Sequence, residues 1–281
     1  MSFYRENIGG IVVLRSSLLD ECGVKHAFST RTGGISGLAH TAAMNVAFGR
    51  GDAPEVVIRN TEILLDAVGI TPENVISVPQ IHSADVLIVE KNSLELAGLR
   101  GSGVYHPTEL QLDGYVINSP ALAPMVKVAD CMPILMCDPD VRIVAAVHSG
   151  WKGTANSIAV RAVEAMEKLG ALRGDIVVAI GPAIRTCCYE VGEDFYAEFV
   201  KIRGEEFARR YIPPRSETTP RSELKYSADL AAIIVADLTT AGIDAENIDL
   251  SDDCTCCDPA TFHSHRASGG MRGTMGAVIS L

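Results

Sequence analysis

The sequence predicts an α/β fold of the α+β kind, with mixed sheets, flanking helices and a single domain over residues 1–281. Strand-like and helix-like segments mix through the whole length, and several strands follow one another in the middle. A hydrophobic fraction of 47% against 21% charged residues is enough for a large core. No linker, internal repeat or low-complexity tract divides the chain, so one domain is expected.

The helical segments have apolar residues at intervals of three and four. In the first, 52–68, Asp52 can cap the N-terminus, Pro54 suits the first turn and Gly69 can end the helix. The same spacing predicts helices over 154–169, 193–200 and 228–240.

The predicted strands are short runs of β-branched and other apolar residues. The segment 142–147 is apolar after its first residue, which predicts a strand buried on both faces. Residues 98–109 and 211–222 are predicted to be loops. The remaining predicted strands are 75–78, 86–89, 115–117, 125–128, 134–136, 176–180 and the closing 276–281.

Composition narrows the classes of function. The net charge of −11 argues against a nucleic-acid-binding surface, which needs a basic patch. No segment approaches the ~20 apolar residues of a membrane span, and the first residues do not resemble a signal peptide. Eight cysteines then indicate reduced thiols in the cytoplasm. An anionic substrate must be held by a few local cationic or N–H groups.

Three candidate ligands stand near strand ends. His82 lies between two predicted strands, Cys131 follows the strand that ends at residue 128, and His148 follows a buried strand. Two histidines and one cysteine can give zinc three protein ligands and leave a fourth position open, as in catalytic sites. The alternative is that all three are core or turn residues with ordinary hydrogen bonds.

A second group of soft ligands lies near the C-terminus. Its spacing, C-x-C-C followed by H-x-H, matches no standard zinc finger, so it is either a structural metal site or a turn beside the active centre. Its members are Cys254, Cys256, Cys257, His263 and His265.

The four remaining cysteines are not predicted to form a metal site. Cys187 and Cys188 are adjacent, and in an extended segment they point to opposite sides, so at most one would face a site. Cys22 and Cys137 are expected to be small buried hydrophobic residues.

Several strings together resemble the signatures of one family, the laccase-domain proteins. This family was long labelled multicopper polyphenol oxidases and is now regarded as purine nucleoside phosphorylases. The resemblance runs from about residue 26 to the C-terminus in the family's order. The strings are 28–34 (FSTRTGG), 44–46 (MNV), 80–86 (QIHSADV), 129–133 (ADCMP), 146–153 (AVHSGWKG), 180–192 and 254–266.

The resemblance implies a zinc ion held by His82, Cys131 and His148, which would be both metal ligands and catalytic residues. It also implies phosphorolysis of adenosine, inosine, guanosine and S-methyl-5'-thioadenosine, with phosphate as co-substrate and adenosine deamination as a side activity. Copper can compete for the same ligands. The partners expected are therefore a small nucleoside and phosphate, without nucleic acid or membrane.

Three residues are predicted to bind substrate. Arg31 and Asn45 lie in the glycine-rich N-terminal region and would hold phosphate or nucleoside, with Arg266 a further candidate. Two departures from the family pattern are an apparent insert at 98–109 and an altered order in 270–275, which leaves Arg272 without an assigned role.

Other classes of function stay open at this point. A laccase with four coppers would draw on about ten histidines, whereas this chain has seven. Cys131 and His148 can instead form the thiolate–imidazolium pair of a cysteine hydrolase acting on amide-like cell-wall precursors. The third class is a metal- or nucleoside-binding module without catalysis.

Overall fold

Two six-stranded mixed sheets lie face to face and carry helices on their outer sides. The structure, a computed structural model, describes residues 3–89, 110–215 and 225–281. A shared hydrophobic layer fills the space between the sheets, and a separate layer lies under the helices on each outer face. The predicted class, an α/β fold with mixed sheets and flanking helices, is confirmed.

The first sheet joins the beginning of the described chain to its end. All of its neighbouring strands are antiparallel except the last pair, which is parallel. Short helix α1 (Ser17–Glu21) connects its second and third strands. In spatial order the strands are β1 (Phe3–Ile8), β2 (Ile11–Ser16), β3 (Lys25–Ser29), β14 (Met275–Ser280), β7 (Ala123–Val128) and β4 (Val75–Ile76).

The second sheet comes from the middle of the chain. Its two outer pairs are parallel and its three inner pairs are antiparallel. In spatial order its strands are β13 (Ile248–Leu250), β10 (Val177–Ile180), β8 (Met132–Asp138), β9 (Ile143–Ser149), β6 (Gly114–Ile117) and β5 (Val86–Val89). A separate two-stranded ribbon contains β11 (Glu190–Val191) and β12 (Tyr226–Ser227).

Helices cover the outer face of each sheet because that face is apolar. On the first sheet, α2 (Pro54–Ala67) packs Leu64 and Leu65 against strand residues such as Val278. The second sheet is covered by the other helices, which bury their apolar sides in one cluster. They are α3 (Trp151–Ala155), α4 (Ile158–Lys168), α5 (Glu193–Arg203), α6 (Glu205–Tyr211) and α7 (Leu230–Thr240).

The first five residues of β9 are apolar because both faces of the strand are buried. Ile143, Ala145 and Val147 face the helices, whereas Val144 and Ala146 face the first sheet. The prediction of a strand buried on both faces is therefore confirmed. By the same alternation, the next side chain in phase with Ala146 is His148, which lies at the end of the space between the sheets.

The capping predicted for the first long helix is wrong. Ala53 is the N-cap of α2, and no side chain caps it. The Asp52 carboxylate instead accepts hydrogen bonds from three side chains, those of Ser36, Thr41 and Asn45. Its acceptor capacity is used by the preceding loop rather than by the helix.

The helix predicted over 154–169 is divided in two. Helix α3 ends at Ala155, and α4 begins at Ile158 after Ser157, which has a left-handed φ of 55°. The hydroxyl of Ser157 donates to Asp237 and accepts from Arg203, so the break is held by tertiary contacts.

Of the two predicted loops, 98–109 lies outside the described residues, as does 216–222 of the second. None of the helices in the described ranges is long and apolar enough to cross a membrane.

A buried histidine makes stability depend on pH. The Nε2 of His26 accepts a hydrogen bond from the Ser16 backbone N–H at 2.9 Å, so this nitrogen is unprotonated. Burial and the positive charge of Arg15 lower the pKa of His26 to about 4. Between that value and the unfolded pKa of about 6.5, the unfolded chain binds the extra proton.

The free energy of unfolding should therefore fall as the pH is lowered, by about 2 kcal/mol from this group between pH 7.5 and 5.0. Urea unfolding of the wild type and of His26→Gln at both pH values measures the difference. Glutamine keeps an acceptor for Ser16 but does not titrate. Equal pH dependence in the two proteins would contradict the prediction.

Candidate active site

His82, Cys131 and His148 lie together at one end of the space between the sheets. Their potential ligand atoms are all within 4.8 Å of one another. The two imidazole rings meet edge to face, with centroids 4.7 Å apart. His148 is buried, Cys131 is half-buried and His82 is exposed, so the group opens to solvent on the His82 side.

Strand pairing brings Cys131 to His148. Strands β8 and β9 are antiparallel, with Pro133 opposite His148 and Met132 opposite Ser149. Cys131 immediately precedes β8, so it lies beside the end of β9. The register thus joins two residues that sequence spacing alone could not connect.

The carboxylate of Asp113 joins His82 to His148. It accepts backbone N–H bonds from Ile81, His82 and Ser83 at 3.2, 3.1 and 2.6 Å. It also accepts from the Ser83 hydroxyl and from Nδ1–H of His148, at 2.8 and 2.7 Å. Asp113 directly precedes β6 and is fully buried. Asp113 was not among the residues predicted from the sequence.

Asp113 also sets the charge of the group. Burial alone would raise the pKa of its carboxyl, but hydrogen bonds from His148 and Ser83 lower it to about 2. Burial opposes the charge on His148, but Asp113 and Cys131 raise its pKa to about 9. Burial likewise opposes the Cys131 thiolate, and the two imidazoles lower its pKa to about 6. Without a metal the site favours a thiolate beside an imidazolium.

The three side chains fit a zinc ion, both because of their donor atoms and because a hydrogen bond holds His148 in place. Two imidazole nitrogens and one thiolate are zinc ligands, and three protein ligands leave one position open. The Nδ1–H of His148 is held by a buried carboxylate, the usual second partner of a metal-binding histidine. This leaves Nε2 of His148 for the metal.

Two residues of the site have left-handed backbone angles that are costly for side chains other than glycine. The φ of His82 is 58° and that of Asp130 is 84°. Such conformations cost about 1–3 kcal/mol and persist where neighbouring contacts enforce them. Asp113 holds the backbone of His82. The carboxylate of Asp130 accepts from the Thr255 hydroxyl and the Arg266 backbone N–H at 2.6 and 2.7 Å.

A cavity of about 810 Å³ opens from the His/Cys group. This volume suits a small organic ligand. Three aromatic side chains line it, those of Phe48, Trp151 and Tyr189. Gln80 also lines the cavity, and its amide donates to the Lys127 carbonyl and accepts from the Lys127 backbone N–H, at 2.8 and 2.7 Å.

Cationic side chains concentrate in the cavity wall of this acidic protein. They are Arg50, Lys127, Arg266 and Arg272. Burial lowers the pKa of Lys127 to about 8. Burial and the charge of Arg50 also lower the pKa of Arg272. The Nε of Arg272 is buried without a hydrogen-bond partner among the described residues. The wall therefore has unused capacity to bind an anion.

Lys127 was not among the predicted site residues, although its position in the sequence carries a signal. It is a single charged residue in the otherwise apolar strand β7. Arg272, to which no role was assigned, also lines the cavity.

Arg31 and Asn45, predicted to bind substrate, do not line the cavity. The guanidinium of Arg31 donates to three backbone carbonyls, those of Ala42, Pro259 and Ala39. The Asn45 side chain is fully buried and bonds to Ala47, Asp52 and Thr274. Their contacts hold loops next to the cavity, and their substrate contact stays a prediction.

Arg266, the third predicted substrate-binding residue, does line the cavity. Its guanidinium carbon lies 5.4 Å from the centre of the Tyr189 ring, and Nη1 donates to the Glu190 carbonyl at 2.9 Å. The planar cation is therefore held at the cavity edge.

The C-terminal group of soft ligands is divided by the fold. The Nε2–H of buried His263 donates to the Met44 carbonyl at 2.9 Å, while His265 lines the cavity. Cys254 and Cys257 lie instead with Cys187 and Cys188.

The extended segment predicted at Cys187 and Cys188 is wrong, and both sulfur atoms lie in one group with those of Cys254 and Cys257. Residues 186–188 form a turn rather than an extended segment, and the Cys188 N–H donates to the Arg185 carbonyl at 2.9 Å. A turn can direct neighbouring side chains to one side.

A sequence model of the family described as "Multi-copper polyphenol oxidoreductase laccase" matches residues 25–281. The chain belongs to this laccase-like family. It is 33% identical over 272 residues to a purine nucleoside phosphorylase of Deinococcus radiodurans, covering 97% of this chain and 94% of that protein. It is 31% identical to adenosine deaminase RL5 of an unknown prokaryotic organism, covering 86% and 88% of the two chains.

A solved structure of the same family has the same architecture. The crystal structure of YlmD from Geobacillus stearothermophilus superposes with a TM-score of 0.83 at 30% identity, covering 99% of this chain and 98% of that chain. The chain is therefore a laccase-like family protein with a His/Cys group suited to a metal. Its similarity to relatives named as enzymes indicates that it is an enzyme.

Gly150 provides a direct test of the metal centre. A methyl group placed on this glycine would lie 2.5 Å from Nδ1 of His82. Gly150→Ala must displace the imidazole and should weaken zinc binding about tenfold or more. His82 is exposed, so the fold should persist. A zinc titration against a competing chelator measures the change.

The matched control is Gly174→Ala, because a methyl group there meets nothing within 4 Å. Unchanged zinc affinity in Gly150→Ala would show that His82 is not a ligand.

Proposed function

We propose that this protein is a zinc-dependent purine nucleoside phosphorylase acting on adenosine, inosine, guanosine and S-methyl-5'-thioadenosine, with adenosine deaminase activity. One observation carries the proposal. A single cavity combines the His82, Cys131 and His148 group with an aromatic surface and a cationic wall. The relatives named purine nucleoside phosphorylase and adenosine deaminase support it.

The aromatic side chains suit the purine. Phe48, Trp151 and Tyr189 offer π faces on which a flat base can stack. Trp151 is itself braced by Phe195, with ring centroids 4.9 Å apart. A base held in this way is fixed in orientation before reaction, which is a large part of what phosphorolysis requires.

The cationic wall suits phosphate. Phosphorolysis needs an oriented phosphate at the ribose anomeric carbon, while negative charge develops on the departing purine. Lys127, Arg50 and Arg272 can hold the phosphate by charge-assisted hydrogen bonds, and Arg266 can serve at the cavity edge. The net charge of −11 disfavours anion binding by the protein as a whole, so these local cations are needed to hold phosphate.

The histidine and cysteine ligands complete the assignment. His82, Cys131 and His148 would hold zinc, which supplies a Lewis acid at its open position. Asp113 keeps the proton of His148 on Nδ1 and fixes the ring. Copper can occupy the same ligands, because it binds imidazole and thiolate more tightly than zinc does. The reduced cysteine that this site needs supports a cytoplasmic location.

Cys131→Ala should abolish both activities. Removing the thiolate breaks the metal site, and loss of several kcal/mol of Lewis-acid stabilisation lowers each rate at least about a hundredfold. The assay follows release of free base from each of the four nucleosides with phosphate, and inosine formation from adenosine without it. Zinc per chain is measured in parallel.

Cys22→Ala is the control, since Cys22 lies outside the cavity lining. Full activity of Cys131→Ala with retained fold would refute the metal-site assignment.

A second candidate is a cysteine hydrolase acting on amide-like substrates, and one observation favours it. Cys131 interacts with His148, and His148 bonds to Asp113. Nucleophile, base and orienting carboxylate follow one another in this way in such enzymes. Stoichiometric zinc that protects Cys131 from iodoacetamide supports the phosphorylase. A metal-free protein inactivated by that reagent supports the hydrolase.

Lys127→Met should separate the two activities. Loss of a charge-assisted hydrogen bond should raise the KM for phosphate about tenfold to a hundredfold. Adenosine deamination uses water rather than phosphate, so it should be retained. Steady-state kinetics of both reactions on the same preparation give the comparison.

Lys168→Met removes an equal charge from the exposed end of α4 and serves as control. If Lys127→Met left the KM for phosphate unchanged, the phosphate would have to bind elsewhere.

A further inference from the structure

Four cysteines lie together outside the cavity. Cys187 and Cys188 come from the turn after β10, and Cys254 and Cys257 come from the turn after β13. All four sulfur atoms are within 4.8 Å of one another. The Cys257 sulfur is 3.4 Å from that of Cys187 and 3.3 Å from that of Cys188.

The distances suit a mononuclear metal site. Four thiolates at 2.3 Å from one tetrahedral ion stand about 3.8 Å apart. A disulfide brings two sulfurs to about 2.05 Å and uses each sulfur once. Cys257 is instead almost equally close to two partners, as expected in a shared ligand shell.

A cation lies on the turn that carries Cys187 and Cys188, since Arg215 donates to the Thr186 and Cys187 carbonyls at 3.3 and 3.4 Å. Its positive charge partly offsets the negative charge that a sulfur-only ligand set brings.

The backbone already holds the two turns side by side. Ala183 forms an isolated parallel bridge with Cys254, and the Thr255 N–H donates to the Ala183 carbonyl at 3.1 Å. The four side chains are therefore placed by the fold.

We propose that Cys187, Cys188, Cys254 and Cys257 bind one structural zinc ion that fastens these two turns together. Four protein ligands leave no open position, which distinguishes this site from the one in the cavity. Zinc suits it because it accepts an all-thiolate tetrahedron.

The ion would act on the cavity through its neighbours. Thr255, next to Cys254, holds the Asp130 carboxylate beside Cys131, and the Cys188 carbonyl accepts from Arg266 at 3.2 Å. Tyr189, next to Cys188, lines the cavity. The proposed zinc therefore orders the wall that carries Tyr189 and Arg266.

Metal counting on protein purified under reducing conditions with added zinc tests the proposal. The wild type should contain two zinc ions per chain, and both Cys257→Ser and Cys131→Ala should contain one. Cys256→Ser is the matched control, since its thiol is in the same turn but outside the group of four. It should keep two.

Cobalt(II) gives a second readout that does not depend on activity. Cys131→Ala loaded with cobalt should show intense thiolate-to-cobalt absorption, and Cys131→Ala/Cys257→Ser should lose it. The proposal is overturned if Cys257→Ser keeps as much zinc as the wild type. Metal-free Cys131→Ala, iron in place of zinc, or a mass deficit of four hydrogens from two disulfides would also overturn it.

These outcomes separate the two sites. If the protein shows no phosphorolysis, the proposed function fails, but Cys131→Ala should still bind one zinc ion at the four cysteines. If Cys131→Ala binds no zinc, the four-cysteine site fails, but the proposed activity is unaffected.

Discussion

The carboxylate of Asp113 is the interaction on which the site depends. It is fully buried and accepts five hydrogen bonds, four of them from residues 81–83 and one from His148. A buried charge is tolerated only when it is fully partnered in this way. One side chain therefore fixes the backbone of His82, the orientation of the His148 ring and the position of the His148 proton on Nδ1. The strained φ of His82 persists because these bonds hold it.

The two sheets explain where the site lies. Strands β8 and β9 are covered on both faces, so their apolar residues fill two hydrophobic layers. The polar residues lie at the strand ends, with Cys131, His148 and Ser149 at one end and Asp138 at the other. Loops from the first sheet and from the C-terminal region then close the cavity around that end, and Asp130 ties them together. Strand ends thus position Cys131 and His148, whereas the cavity wall combines loop residues such as Tyr189 with Lys127 of β7 and Trp151 of α3.

Sequence patterns predicted the fold well where burial is regular. The both-face burial of β9 and the position of α2 follow from apolar periodicity, which reports how a segment meets the core. Prediction of local contacts failed where a polar side chain had several possible hydrogen-bond partners. Asp52 suited a helix cap, yet it binds three side chains of the preceding loop. Cys187 and Cys188 lie in a turn rather than in an extended segment, and periodicity does not report turns.

The sequence by itself determined the fold class, the acidic balance and the chemical types of the three candidate ligands, because these depend on composition, periodicity and local motifs. Only the tertiary structure decided which side chains meet. Lys127 and Arg272 are distant from each other along the chain, and strand register and loop packing bring them to one cavity, while Asp113 is brought to His148. The same packing turns Arg31 toward backbone carbonyls and unites four cysteines from two turns. Contacts between distant segments are set by three-dimensional packing, and a single sequence contains no spacing rule that specifies them.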